Sequence, residues 1–598
     1  MRHQWHDTAP AIQRAVATAM EAEGRPPRQG DSPVRVVRAG HPAGVGGPYE
    51  LTLEDGTTLR GEGRLPSDLP LGYHDLDVPG RAEPLRLIVS PGRCHLAPGM
   101  RAWGWAVQLY ALRSGASWGM GDLADLADLG RWSAGLGAGM LLVNPLHAAR
   151  PEEPSPYFPS SRCWRNPLYL RVEEVPGMAG HPRLAELARA GRALNGERRI
   201  DRGAVWSLKR QALEWAWERF GDSDDFAKWR CSQGEALSGY ARFAALAESR
   251  PGPWPSWPEP LRHPGGPGVE AALAGREREV GFHAWLQWLL DGQLARAGEE
   301  VGLVSDLAIG VDPEGADAWV WQDALALGVR VGAPPDDFNV EGQDWGLPPL
   351  NPWKLRQQRF EPFIQTVRAG LAHAGGLRVD HVMGLFRLWW IPPGAGPAEG
   401  AYVRYPHREL LDILALESVR AGAYVIGEDL GTVEPAVRQE LARRRVLSYR
   451  LMWFEPEPPG PTWPARALAA VTTHDLPTVA GLWTGKDLEE QRALGLPVDP
   501  GAAAAMRDKV AAWLEVGPEA PVQEVVAGVH RLLAKAPSAL VAATMEDALA
   551  VPDRPNIPAT TGAHRPNWSL ALPSTLEEIK AHPLVAEVAE ALRPVSRL

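Results

Sequence analysis

Hydrophobic positions along the chain fall into two regimes. Apolar residues from Ala9 to Glu23 recur with a helical period, and a Gly/Pro/Arg-rich break follows from Gly24 to Pro33. Beyond it VRVVRAG (34–40), YELTLEDGTTLRGEG (49–63) and PLRLIVS (84–90) alternate apolar and polar residues, with Asp55-Gly56 as a hairpin turn. This predicts a helix and a small β-rich unit over residues 1–98. From residue 99 the pattern changes to short apolar runs bounded by turn residues. They are GWAVQLYAL (104–112), GMLLVNPL (139–146), VGLVSDLAIG (301–310), GLRVDHV (376–382), YVIGEDLG (424–431), SYRLMWFE (448–455), AAVTTHD (469–475) and ALVAATMED (539–547). Helical patterns separate most of them, for example Leu123 to Ser133, Glu409 to Arg420 and Glu434 to Arg443. Near-continuous apolar strands alternating with helices predict a parallel sheet, and eight such units predict an α/β fold of the closed (β/α)8 TIM-barrel type over residues 99–598. The span exceeds the roughly 250 residues typical of that fold. It therefore carries large insertions, the main one mostly helical and lying between about residues 150 and 295.

Composition narrows the chemistry. The 598 residues include 25 Trp against 10 Phe and 10 Tyr, and none of the tryptophans lies between Trp5 and Trp103. The surplus belongs to the barrel region, and a wide flat ring packs cores but also stacks on sugars and nucleobases. Charge separates those two ligands: 62 basic against 73 acidic residues give −11, the opposite of a nucleic-acid footprint. The densest basic cluster, Arg443-Arg444-Arg445, reads as a solvated helix end. Cys94, Cys163 and Cys231 are few and widely spaced, so they suggest neither a disulfide framework nor a metal set. Nowhere do about 18 apolar residues run together. The expectation is a cytoplasmic protein with no membrane partner.

Active sites of such barrels sit at the carboxyl ends of the strands, so polar residues closing an apolar run are candidates. The fourth run ends in Arg378-Val379-Asp380-His381, and strand alternation sends Arg378 and Asp380 to one side. A guanidinium beside a carboxylate favours its ionised form, as a nucleophile requires; the same pair also suits a purely structural strand end. The fifth run ends in Gly427-Glu428-Asp429, where burial raises a carboxyl pKa towards that of a general acid, although one of the two acids also suits a helix N-cap. The seventh ends in Thr472-Thr473-His474-Asp475, with a carboxylate that equally suits a cap or turn. Asp380, Glu428 and Asp475 stand 48 and 47 residues apart, each at the end of a separate strand. Three carboxyl groups converging on one barrel mouth match the cleavage of a glycosidic bond with retention, whose transition state carries oxocarbenium charge between two of them.

These residues lie in longer motifs that resemble the amylomaltases, or 4-α-glucanotransferases, over nearly the whole chain. The likeness includes LPLGYHDLDV (69–78), WGMGDLADL (118–126), SPYFPSSRCWRNPLYL (155–170), GAPPDDFNVEGQDWGLPPLNPW (332–353), LRVDHVMGLFRLWWIP (377–392), VIGEDLGTV (425–433), THDLPT (473–478) and NIPATTGAHRPNWSLALP (556–573). The resemblance implies a retaining enzyme that moves α-1,4-glucan segments between maltodextrins, amylose or glycogen-derived chains; no metal or cofactor is called for, since the scattered histidines lack the spacing of a zinc set. It implies Asp380 as nucleophile, Glu428 as acid/base and Asp475 as the third carboxylate. Arg378, His474 and Asp306 would contact the reacting glucose, Tyr157 would stack beneath it, and Ser155 would line the same pocket. Gln343 and Trp345 match a flexible loop over the acceptor side, and Asn567 matches the carboxyl-terminal part of the cleft. Ser305 replaces a usual glycine before Asp306, while Asp337 and Val340 stand where some relatives have an aromatic and an acid. Two alternatives remain open, an α-glucan hydrolase on the same carboxylates and a non-catalytic glucan-binding protein.

Overall fold

The computed structural model describes residues 8–20, 32–221, 223–335, 341–431 and 433–595. The eight predicted runs form one parallel sheet: β1 (Ala102–Val107), β2 (Met140–Val143), β3 (Gly302–Leu307), β4 (Gly376–Val379), β5 (Tyr424–Gly427), β6 (Ser448–Leu451), β7 (Ala467–Ala470) and β8 (Leu540–Thr544). Their order in space is β5-β4-β3-β2-β1-β8-β7-β6. The ends meet through a parallel bridge between Ile426 and Leu447, with Gly427 N–H on the Leu447 carbonyl at 2.8 Å. That contact makes the sheet a (β/α)8 barrel. Its interior is filled by alternate side chains, among them Met140, Leu142, Val304, Tyr424, Ile426 and Leu468. Gly104 in β1 marks a close approach, since a Cβ there would lie 1.8 Å from the Met140 carbonyl oxygen.

Helices cover the outside. Leu123–Gly135 starts on a capping box in which Asp122 accepts from Ala124 and Asp125 N–H groups and Asp125 answers the Asp122 N–H. Arg171, from the segment after β2, reaches Asp122 at 2.6 Å and Asp125 at 2.7 Å, tying the insertion to this helix start. Within the insertion, helices Arg202–Phe220 and Asp224–Ser249 pack on Glu277–Glu299, which lies against β3 and the barrel helix Leu123–Gly135. Trp285 is fully buried there against Trp217 at 5.6 Å, whereas Trp215 stays at the margin, stacked on His181 and Arg219. Trp389 and Trp390 are core.

Residues 34–90 form a five-stranded sheet of Val34–Arg38, Leu85–Ser90, Gly72–Asp77, Ala43–Thr52 and Thr58–Leu65, in that spatial order. The hairpin at Asp55-Gly56 is present, with Gly56 at φ 86°. Strand Gly72–Asp77 buries alternate residues, but one inward position is the polar His74, 2% exposed; its ring bonds the Pro70 carbonyl and accepts the Glu54 N–H. The amino-terminal helix covers Pro10–Ala19; the end predicted at Glu23 lies outside the described residues. Arg444 corrects the reading of a solvated helix end. It is 2% exposed, pairs with Asp412 and Glu440, and donates to the Gly92 carbonyl, so it fastens the sheet's last turn to the barrel helix His407–Ala421.

Candidate active site

Parallel register builds the floor of the cleft. Asp306 of β3 pairs with Arg378 of β4, and Arg378 with Ile426 of β5, so the two ionic side chains stand at one level of the barrel. Arg378 reaches both Asp306 oxygens, at 2.6 and 2.8 Å, and Asp380 Oδ1 at 3.0 Å. Arg378 and Asp306 are buried, whereas Asp380 keeps a fifth of its side-chain surface open to the cleft. One guanidinium therefore serves two carboxylates. Burial outweighs it: the Asp380 carboxyl is pushed up to about 6, with Asp306 and Glu428 adding to the rise and Arg378 and His474 opposing it. The expectation of a carboxylate held down by arginine has the right sign for Arg378 and omits the larger desolvation.

Glu428 follows β5 and faces Asp380. Its carboxyl accepts the His381 N–H at 3.0 Å and the Leu430 N–H at 2.8 Å, and burial still raises its pKa. His381 adopts φ 44°, a left-handed conformation uncommon for a residue with a Cβ, and this turn aims its N–H at Glu428. The choice between the two acids at this strand end is resolved by contacts. Asp429 is buried and takes the Ser448 hydroxyl and Tyr449 N–H, pinning β5 to β6. Neither acid caps the next helix, whose N-cap is Glu434.

Asp475 is no cap either, because Thr478 caps the helix that follows. Its carboxyl accepts from Asn556 Nδ2 at 2.7 Å and lies 3.5 Å from His474 Nε2. Against the upward pull of burial, His474 and Asn556 hold Asp475 below its ordinary value; burial lowers His474, and Asp475 raises it by more. Tyr157 joins the group by donating to Asp306 Oδ2 at 2.6 Å, and its ring lies 4.9 Å from His474 and 5.4 Å from Trp568. Below these residues the cleft narrows into a cavity of about 40 Å³ bounded in part by Tyr157, Asp306, Arg378 and His474.

Other predicted positions are more distant or already occupied. Ser155 is not on that cavity wall; its hydroxyl accepts the Tyr157 N–H at 3.3 Å and shapes the turn that presents the ring. Gln343 and Trp345 lie on a strand, Gln343–Leu347, rather than in a flexible loop; it pairs with Arg330–Ala333 in a four-stranded antiparallel sheet. Trp345 Nε1 donates to Gln343 Oε1, and its ring meets His381 edge-on at 5.2 Å, beside Asp380 in the chain. Asp337 and Val340 lie outside the described residues. Asn567 is buried, and its amide joins Thr560, Ile557 and Arg565, so it organises the loop that carries Trp568. Sequence reasoning missed Trp568, Asn556 and Arg554, which donates to the Asp475 carbonyl at 2.7 Å. All three lie in or beside the RPNIP and RPNW stretches, whose Pro/Asn-rich composition marks an ordered loop without naming its contacts. Among the described residues no group of three or more His, Cys, Asp or Glu is arranged to hold a metal ion, and no helix is long and apolar enough to cross a membrane.

The glycoside hydrolase 77 profile, described as 4-alpha-glucanotransferase, matches residues 107–575. The chain is 43% identical over 585 residues to a 4-alpha-glucanotransferase of Mycobacterium tuberculosis, covering 88% of this chain and 80% of that one. It is 36% identical over 471 residues to a 4-alpha-glucanotransferase of Haemophilus influenzae, covering 72% and 67%. The crystal structure of amylomaltase from Corynebacterium glutamicum superposes with a TM-score of 0.83 at 34% identity, covering 98% of this chain and 92% of that one. The chain belongs to the glycoside hydrolase 77 family of 4-alpha-glucanotransferases.

Proposed function

We infer that the protein is a 4-α-glucanotransferase that exchanges α-1,4-glucan segments between maltodextrins by a retaining double displacement. One observation carries the assignment of roles: Asp380 is held from below by the Arg378 fork, while Glu428, across the cleft mouth, is held by two backbone N–H groups. In the first step Glu428 protonates the departing glycosidic oxygen as Asp380 attacks C1, giving a glucosyl ester and a free 4-hydroxyl on the leaving glucan. In the second, Glu428 takes the proton from the 4-hydroxyl of another glucan, that oxygen displaces Asp380, and the α-1,4 bond forms again. Raised pKa values suit this exchange, since the pair holds one proton more readily than two separate carboxyls would. Asp475 and His474 grip the reacting sugar, with Tyr157 and Trp568 as the aromatic wall.

Transfer prevails over hydrolysis when the acceptor sugar displaces water at the ester. Trp345 beside His381 supports that role for the antiparallel sheet. We read residues 1–98 as a separate unit that packs on the barrel; the Ser90 hydroxyl on Asp412 supports packing over sugar binding. Feeding purified protein maltotriose tests the function. Glucose plus chains longer than maltotriose is the expected product ladder. Maltose and glucose with no longer product would favour the hydrolase and overturn the transferase.

A further inference from the structure

The cavity beneath the cleft holds polar groups that the mechanism does not use. Asn144, Thr472, Thr544, Gln108 and Glu546 all contribute to its wall. The first three are occupied within the fold. Asn144 accepts the Leu109 N–H and donates to the Pro145 carbonyl and Tyr169 hydroxyl; Thr472 donates to the Pro477 carbonyl; Thr544 caps the turn Met545–Ala548. Gln108 and Glu546 are not. The Gln108 Oε1 atom is buried with no hydrogen-bond partner. Glu546 is 7% exposed and, among the described residues, forms no ion pair and takes no hydrogen bond from another residue's side chain. A buried carboxyl whose hydrogen bonding is limited to its own backbone N–H keeps open capacity at a cost, and a space of about 40 Å³ admits a few waters or a sugar hydroxyl. The cavity is continuous with the cleft floor at Asp306, Arg378 and His474, so whatever enters it from above is the group bound beside Asp380.

We propose that Glu546 and Gln108 bind one hydroxyl of the sugar residue held beside Asp380, and that this contact makes them specificity residues of the pocket. The inference rests on the reading of the cleft as a glucosyl site. Burial pushes the Glu546 carboxyl up to about 7, with Asp547 adding to the rise and His474 opposing it, so near neutrality this group both accepts from and donates to a hydroxyl. A site built to bond a hydroxyl rejects an analogue lacking it, because its buried groups are then left unpaired.

The test measures kcat/KM for α-glucosyl fluoride and its 2-, 3- and 6-deoxy forms, with maltose as acceptor, in the wild type, Glu546→Leu, Glu546→Gln and Gln108→Leu. The wild type is expected to disfavour one deoxy form specifically. Glu546→Leu and Gln108→Leu reduce that discrimination at least about 10-fold and leave the other two ratios within about 3-fold, while Glu546→Gln retains most of it. A uniform loss on all four donors, or unchanged discrimination, would overturn the proposal and leave both residues a structural role. If Glu546→Leu does not fold, Gln108→Leu carries the same comparison. A wild type that turns over none of the donors would instead sink the glucosyl-site reading, and this inference with it.

Discussion

Asp380→Asn should abolish transfer and stabilise the protein in the same stroke. In the native state the Asp380 carboxyl has its pKa pushed up to about 6 from an ordinary 3.8. Below the ordinary value the group is protonated in both folded and unfolded chains and adds nothing. As the pH rises to about 6, the unfolded chain gives up its proton first, so stability falls across that window. Above it the full penalty stands, about 2 pH units or about 3 kcal/mol, an upper figure because a fifth of the side chain remains open to solvent. Asparagine removes the charge and most of the penalty. It also removes one partner from Arg378, but the two bonds to Asp306 remain. Urea unfolding of wild type and variant at pH 5 and pH 8 isolates the effect, since losses common to both pH values cancel. Because more than half of the penalty already stands at pH 5, the variant should gain about 1 kcal/mol relative to wild type between those pH values, with transfer from maltotriose reduced by at least about 10⁴-fold. A stability difference that does not change with pH would refute the argument that burial strains this carboxylate. Wild-type turnover in the variant would refute its role as nucleophile.

Further outcomes follow from the same contacts. The rate of transfer should fall as pH drops through about 6, where Asp380 takes up its proton, and Arg378→Lys should move that limb upward because a point charge replaces the fork; a pH profile of kcat/KM checks both. Tyr157→Phe removes the donor on Asp306 while keeping the ring on Trp568, so kcat/KM should fall about 10- to 100-fold with little change in melting temperature. Gly104→Ala forces a methyl against the Met140 carbonyl and should destabilise the barrel by about 3 kcal/mol, measured by denaturant midpoint. Arg444→Leu leaves Asp412 buried with its main cation gone and should cost about 3–5 kcal/mol, also read from the denaturant midpoint.

How far the site was legible depends on the range of each signal. Strand-end acids are a local pattern, so Asp380, Glu428 and Asp475 stood out from their runs alone. Glu428 and Asp429 are neighbours with the same residue chemistry, and only the approach of Ser448 and Tyr449 from the next strand tells them apart. Arg443, Arg444 and Arg445 look alike in the chain, yet one of them is buried by a sheet that lies more than 350 residues away in sequence. The strand Gly72–Asp77 escaped the pattern because a histidine occupies its inner face, bonded at both ring nitrogens. The resemblance alone puts Trp345 in a loop, and pairing of Gln343–Leu347 with Arg330–Ala333, a contact between separate stretches, makes it a strand.

The amino-acid sequence by itself determined the eight strands, their parallel order of connection through helices and the acids that end three of them, because hydrophobic period and strand termini are properties of a few consecutive residues. Tertiary structure alone decided which buried groups share a charge. The level at which Asp306 meets Arg378 depends on register between strands 72 residues apart, and the Asp380 pKa depends on how much water the assembled barrel excludes. It also decided that Glu546 and Gln108, 438 residues apart in the chain, are left with open hydrogen-bonding capacity in one cavity. Desolvation and long-range pairing belong to the packed chain, and no stretch of sequence carries them before it folds.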